Sequence, residues 1–109
     1  MKKSLLMLCV AILSVSVLWA QEKKPYSVVF YNLENLFDIY NDPETHDDEF
    51  TPEGVKQWNE IKYQKKLSNM ERVLFDIAAI QKDYPIVIGV SEIENRTVLE
   101  DLISQPKLK

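Results

Sequence analysis

The sequence predicts an α/β fold in which two strands alternate with two helices. Residues 26–33 are β-branched and aromatic, and residues 86–90 form a continuous apolar run, so both segments have the pattern of strands covered on both faces. Between them, apolar residues recur at three- and four-residue spacing from Tyr63 to Ile80, which predicts an amphipathic helix. Because the order is strand, helix, strand, helix, we expect the two strands to pair in parallel through a right-handed connection.

The first twenty residues have the layout of a secretory signal peptide. A positively charged start precedes an almost wholly apolar run from Leu5 to Trp19, and Ala20 is a small residue at a suitable cleavage point. The apolar run is shorter than the ~20 residues that a helix needs to cross a bilayer, so we expect no stable membrane span. We therefore predict that residues 1–20 are a signal peptide and that the chain is exported, with an uncleaved anchor as the alternative.

The composition of the mature part, residues 21–109, restricts its partners. It keeps 11 of the 13 Lys and Arg and all 17 Asp and Glu, a net charge of −6, and it has no cysteine. A chain without cysteine folds in an oxidising compartment without mispairing. An acidic chain binds nucleic acid poorly, so a metal or basic groups elsewhere would have to attract a phosphate substrate.

Residues 38–54 are polar and acidic and predict a loop of 17 residues, longer than ordinary connections. The only histidine, His46, lies here, and solvation is the simpler interpretation of it. The acidic run 47–49 lacks the spacing and the glycine of a known calcium loop. Pro85 disfavours continuation of the first helix, and Asn95 is a suitable N-cap for the second.

Three side chains near the strand ends are candidates for chemistry. Glu92 directly follows the second strand, where an α/β sheet opens into a cleft, and a carboxylate there is costly unless it is paired or binds a metal. Asn32 and Glu34 are expected on one face of the first strand. The alternatives are a solvent-facing Glu92 and a turn around Asn32. Glu94 most simply serves the start of the second helix through its charge.

The two strand ends together resemble the endonuclease/exonuclease/phosphatase superfamily, which has the DNase I-like fold. The first motif is Tyr-Asn-Leu-Glu-Asn at residues 31–35, and the second is an apolar strand that ends in Ser-Glu at residues 91–92. The resemblance covers about residues 26–104. It implies that residues 21–109 form the N-terminal half of a DNase I-like four-layer α/β sandwich.

The resemblance also implies a function and roles for three residues. Glu92 falls on the family's metal-ligand Glu, Asn32 on its active-site Asn, and Glu34 on a position where some members carry a second acidic metal ligand. The implied activity is that of a phosphodiester hydrolase of the endonuclease type, acting on nucleic acid with Mg²⁺ or Mn²⁺, and Ca²⁺ is a further candidate. The loop around residues 47–54, with Trp58, resembles the secreted bacterial branch of the family.

Two departures from the family pattern limit what the resemblance implies. Ser91 stands where the family usually has Gln. The later family motifs, Gly-Asp-x-Asn and Ser-Asp-His, supply the groups that orient or activate the attacking water, and these 109 residues do not contain them. We therefore predict that the chain alone is an inactive N-terminal fragment. The alternative is a small exported α/β binding module without catalytic activity.

Overall fold

In a computed structural model that describes Lys3 and residues 25–109, the chain forms a two-stranded parallel sheet and two α-helices. The elements are β1 (Val28–Leu36), a 3₁₀ turn (Asp48–Phe50), α1 (Glu60–Gln81), β2 (Val87–Ile93) and α2 (Arg96–Ile103). The predicted order and the parallel pairing are confirmed. The predicted signal peptide lies outside the described residues, and none of the described helices is long and apolar enough to cross a membrane.

Both strands run three residues beyond the apolar segments that predict them. β1 continues to Leu36 and β2 to Ile93, so each strand includes polar residues that the pattern placed at or beyond its end. The extension occurs because pairing resumes beyond these polar residues, with Leu36 opposite Ile93. The candidate residues Asn32, Glu34 and Glu92 therefore lie within the sheet.

Both helices begin at an asparagine cap. The Asn59 side chain accepts a hydrogen bond from the Lys62 backbone N–H (3.1 Å) at the start of α1. At the start of α2, the Asn95 side chain accepts one from the Val98 N–H (3.0 Å), which confirms the predicted cap. α1 ends at Gln81, and the next residue, Lys82, closes the helix in a left-handed conformation with a φ of 60°.

One face of the sheet is packed and the other is open. Leu33 and Leu36 are 0% exposed and pack against both helices. The opposite face exposes Val28 (69%) and Phe30 (75%). The expectation that both faces are covered is thus not met within the described residues, because both described helices pack on the same side. The buried cluster contains Leu33, Leu36, Tyr63, Leu67, Met70, Leu74, Val98 and Leu102.

The acidic loop 38–54 is anchored by aromatic contacts. Phe37 stacks on Phe50 with ring centroids 4.3 Å apart, and the Trp58 ring meets Phe50 edge-on at 6.2 Å. The Trp58 indole N–H donates to the Phe37 carbonyl (2.9 Å). Gly54 permits a close backbone approach, since a Cβ there would lie 2.2 Å from the Asp48 carbonyl oxygen. These contacts hold the loop beside the end of β1.

Candidate metal centre

The candidate residues lie at a bulge at one end of the sheet: Glu34 and Glu92 are within it, and Asn32 directly precedes it. The strands pair residue by residue from Val28–Val87 to Asn32–Ser91, and pairing then resumes at Leu36–Ile93. Between those points β1 has three residues, 33–35, and β2 has only Glu92. A bulge bends the strand and redirects its side chains, so it places polar groups where regular pairing would not.

The backbone of the bulge is strained. Glu34, Asn35 and Glu92 have φ of 52°, 60° and 55°, in the left-handed region that residues other than glycine seldom occupy. Only five non-glycine residues in the described chain have positive φ, and three of them lie in this bulge. Such conformations cost about 1–3 kcal/mol each and cluster at functional sites. The strain indicates that the surrounding contacts enforce this geometry.

A direct hydrogen bond joins the two motifs of the family resemblance. The Asn32 side-chain N–H₂ donates to Glu92 Oε1 at 2.9 Å. The Asn32 Oδ1 accepts from the Glu34 backbone N–H at 2.7 Å, which fixes the orientation of the amide. Both Asn32 and Glu92 are exposed, so a ligand from solvent can reach the pair. Residues 60 positions apart in sequence thus form one polar group.

Lys66 of α1 binds the backbone of the bulge. Its ammonium group donates to the carbonyl of Glu34 and, at 3.0 Å, to that of Asn35. It also lies 5.6 Å from the centre of the Trp58 ring. Burial lowers the Lys66 pKa, and the nearby charges of Glu34 and Glu92 oppose that shift. Lys66 therefore satisfies carbonyls that the interrupted strand ladder leaves free.

Sequence reasoning missed this role of Lys66. The sequence pattern assigned no task to Lys66, and the structure leaves its side chain only half-exposed. Its position next to the buried Leu67 was the available signal, since a lysine at the border of an apolar stripe lays its stem along the core.

Glu94 makes a contact that the sequence did not predict. It precedes the Asn95 cap, and its side chain turns toward the acidic loop, where Oε2 accepts from the Asp38 backbone N–H at 2.9 Å. Burial raises the Glu94 pKa, and the neighbouring carboxylates of Asp38 and Asp47 raise it further, against the Asp38 hydrogen bond, which lowers it. Glu94 therefore also binds the start of the acidic loop, and its effect on the start of α2 stays a prediction.

The structure brings two of the three predicted site residues into contact. Asn32 and Glu92 are hydrogen-bonded, and Glu34 joins them through its backbone N–H. His46 is exposed in the acidic loop. Within residues 25–109, no three Asp, Glu, His or Cys side chains converge to hold an ion. The donors are carboxylate and amide oxygens, which suit a hard divalent cation such as Mg²⁺ or Mn²⁺ in chemistry.

Comparison with known protein families gives a match. A family model described as Endonuclease/Exonuclease/phosphatase family matches residues 27–109, which include both strands, both helices and the bulge. No curated protein and no solved structure matches the chain. The mixed α/β architecture is consistent with part of a DNase I-like fold, and the matched range holds Asn32, Glu34 and Glu92. The chain therefore belongs to the endonuclease/exonuclease/phosphatase family.

Proposed function

We propose that this chain is the metal-binding part of a divalent-metal-dependent phosphodiester hydrolase of the endonuclease type. Family membership supports a nuclease- or phosphatase-like hydrolase in general. The observation that carries the finer proposal is the hydrogen bond between Asn32 and Glu92 within a strained bulge. It joins the amide and the carboxylate of the two family motifs at a point open to solvent.

Four residues in or beside the bulge each have a defined task in this proposal. Glu92 would hold the divalent cation through its carboxylate, and Glu34 would be an auxiliary ligand. Asn32 would orient the substrate phosphate or a water, since the Glu34 N–H already fixes its amide. Lys66 stabilises the bulge by donating hydrogen bonds to two of its backbone carbonyls. When bound, the cation supplies positive charge for the phosphoryl oxygens and the leaving group.

The open face of the sheet supports the view that further protein completes the site. Val28 and Phe30 are exposed on the face that carries Asn32 at its end. Exposed apolar surface of this kind marks an interaction site. We propose that the rest of the family domain packs there and brings the residues that activate water. Residues 21–109 alone would then be inactive.

The proposed substrate is nucleic acid, and the proposed location is the periplasm or the medium of a bacterial cell. Nucleic acid follows from the endonuclease branch of the family resemblance, and export follows from the predicted signal peptide at residues 1–20. Because the chain is acidic, attraction of the phosphate backbone depends on the bound cation and on basic groups outside residues 21–109.

Nicking of supercoiled plasmid DNA tests the proposal. We expect the full-length protein, meaning this chain joined to the rest of the family domain, to nick DNA with Mg²⁺ or Mn²⁺ but not with a chelator. Glu92→Gln and Asn32→Ala should each slow nicking by about 100-fold or more, because each removes a group at the reacting centre. Glu100→Gln removes an exposed carboxylate of α2 that pairs only with Arg96 and serves as the matched control.

Two results would contradict the proposal. One is a Glu92→Gln protein that nicks as fast as the wild type. The other concerns the isolated mature segment: metal-dependent nicking by residues 21–109, well above that of its Glu92→Gln variant, would overturn the statement that this part is inactive alone.

A further inference from the structure

One segment of this acidic chain is basic. Residues 56–66 contain four lysines and one acid, a local charge of +3, namely Lys56, Lys62, Lys65, Lys66 and Glu60. Because residues 21–109 together carry −6, all the other residues of that range carry −9. The basic segment follows the acidic loop and runs into the start of α1, the helix whose Lys66 binds the bulge. Positive charge is therefore concentrated beside the candidate metal centre.

Lys56 and Lys66 lie on either side of the same aromatic pair. The Lys66 ammonium is 5.6 Å from the centre of the Trp58 ring, and the Lys56 ammonium is 4.0 Å from the centre of the Phe50 ring. The two rings meet edge-on with centroids 6.2 Å apart. Since Lys66 also donates to the Asn35 carbonyl at 3.0 Å, these contacts lead from the bulge to Lys56.

Lys62 lies between the other two lysines. It precedes Lys66 by four residues in α1, so the two side chains are neighbours on one flank of the helix. Its ammonium group donates to the Lys56 carbonyl at 2.7 Å. Lys56, Lys62 and Lys66 thus form a continuous series, the lysine row, from the loop to the bulge.

The lysine row retains capacity to bind an anion. The ion pairs within the described residues are Lys56–Glu49 and Arg96–Glu100, and neither includes Lys62 or Lys66. The side chains of Lys56 and Glu49 are 43% and 51% exposed, and exposed pairs are weak, so a phosphate can replace Glu49. Lys62 is exposed, and the Lys56 carbonyl takes one of the three donors of its ammonium group.

We propose that the lysine row binds the phosphate backbone of a nucleic-acid strand next to the phosphate that is cleaved. This inference rests on the proposed function, in which Asn32 and Glu92 act on the cleaved phosphate. A polyphosphate backbone is attracted by positive charges in succession, whereas an isolated phosphate ester would need only the cation site. Lysine binds phosphate as a point charge, so the row should fix the position of the strand without reading its base sequence.

The lysine row changes the expectation that comes from net charge alone. The overall charge of −6 predicts poor attraction of nucleic acid, and a bound cation and basic groups outside residues 21–109 would have to offset it. The row adds a local source of attraction within the chain. Exposed charges more than about 10 Å apart are largely screened at ~0.1 M salt, so lysines at the site outweigh acids elsewhere on the surface.

Binding of a DNA duplex at two salt concentrations tests the inference. The parent is the full-length protein with Glu92→Gln, and fluorescence anisotropy is measured in chelator, so that neither cleavage nor a cation contributes. At about 50 mM salt, Lys56→Gln and Lys62→Gln should each raise the Kd by about tenfold. At about 200 mM salt the loss should shrink to about threefold, because each lysine adds about 0.9 to the slope of log K against log salt.

Two controls separate the lysine row from general charge and from damage. Lys82→Gln removes a positive charge beyond the other end of α1, about 30 Å from Lys62 along the helix, and should leave the Kd within about twofold. Lys56→Arg and Lys62→Arg keep the charge and should bind as the parent does. Should one Gln variant fail to fold, the other gives the same comparison.

Nicking kinetics give a second readout in the protein that retains Glu92. Lys56→Gln and Lys62→Gln should raise the KM for DNA more than they lower kcat, because they remove contacts to a phosphate that is not cleaved. If Glu92→Gln nicks as fast as the wild type, the proposed function fails. The binding comparison in chelator remains readable in that case, because it requires no catalysis.

Three outcomes would overturn the inference. The first is a Kd at about 50 mM salt that is the same in the parent and in both Gln variants. The second is an equal loss in Lys82→Gln, which would indicate an effect of general charge. The third is tighter binding of polyglutamate than of the duplex by the parent, which would indicate that the lysine row binds acidic protein segments.

Discussion

The two ends of the same sheet differ in an unexpected way. At the regular end, Val28 pairs with Val87 without irregularity, yet both side chains are more than half exposed. At the bulged end, pairing is broken and three residues are strained, yet Leu33 and Leu36 are 0% exposed. The irregular end is therefore the one that the core holds in place. Strain can persist there because the surrounding packing fixes it.

The difference indicates that the candidate site residues lie at the bulged end of the sheet. The bulge carries the polar pair Asn32 and Glu92, whose backbone and side-chain geometry regular pairing would not provide. Lys66 from α1 compensates for part of the cost by binding the freed carbonyls. Rules of local regularity are most often broken at functional sites, and the bulge follows that tendency.

The largest expected effect tests whether the bulged end carries the packing energy. Leu33→Ala should lower the free energy of unfolding by about 2–5 kcal/mol, because it leaves a cavity in the core. Val28→Ala in the 109-residue chain should change it by less than about 0.5 kcal/mol, because Val28 is 69% exposed. Urea unfolding measures both. Equal losses at the two positions would show that the open face is covered and would remove the contrast between the ends.

An intermediate effect is expected for the lysine that supports the bulge. Lys66→Met keeps the apolar stem but removes two hydrogen bonds from a charged donor, so unfolding should become easier by about 1.5–3 kcal/mol. Metal binding should weaken as well, since the orientation of Asn32 depends on the bulge. The exposed neighbour Lys65 provides the control, and Lys65→Met should be near neutral. If both variants behave alike, Lys66 does not stabilise the bulge.

The smallest expected effect concerns the core contact between the two helices. The Tyr63 hydroxyl donates to Asp101 at 2.8 Å, and burial, with that bond and its charge, raises the Tyr63 pKa well above 10.0. Tyr63→Phe should cost about 1 kcal/mol at neutral pH. Above pH 10.0 the unfolded tyrosine ionises while the folded one stays neutral, so the wild type should lose stability as pH rises.

Comparison of the two proteins during an alkaline titration isolates this contribution. The stability advantage of the wild type over Tyr63→Phe should shrink above pH 10.0 by up to about 1.4 kcal/mol per pH unit and then change sign. Binding of Mn²⁺ should be the same in both, because the Tyr63 hydroxyl donates to Asp101 and not to Asn32 or Glu92. A stability difference that stays constant with pH would show that Tyr63 ionises as readily in the folded chain as in the unfolded one.

Sequence patterns predicted the elements of this fold because each element has a local signal. The apolar runs gave both strands, and the three- and four-residue spacing gave α1, which in the structure spans Glu60–Gln81. The Asn95 cap was predicted from its residue type alone. The open face of the sheet was not predicted. An apolar run indicates that both faces of a strand favour burial, but it does not show which elements cover them.

Of the site, the sequence predicted the residues Asn32 and Glu92 but not the geometry that joins them. Asn32 and Glu92 stood out as polar residues at the ends of apolar strands, and the structure joins them. The two-residue excess of β1 in the bulge and the Lys66 contacts depend on register and helix placement, which no local pattern contains. The sequence did not predict the burial of Asp47 either, because an acidic residue in a polar loop is expected to be exposed.

The most direct test of the central claim is equilibrium dialysis of the full-length protein against Mn²⁺. Glu92→Gln should lose one bound Mn²⁺ per chain, or bind it about 100-fold or more weakly, whereas Glu100→Gln should bind as the wild type does. Asn32→Ala should reduce Mn²⁺ binding as Glu92→Gln does, since the two side chains are hydrogen-bonded to each other. A Glu92→Gln protein that binds Mn²⁺ with unchanged number and affinity would contradict the assignment of this bulge as the metal centre.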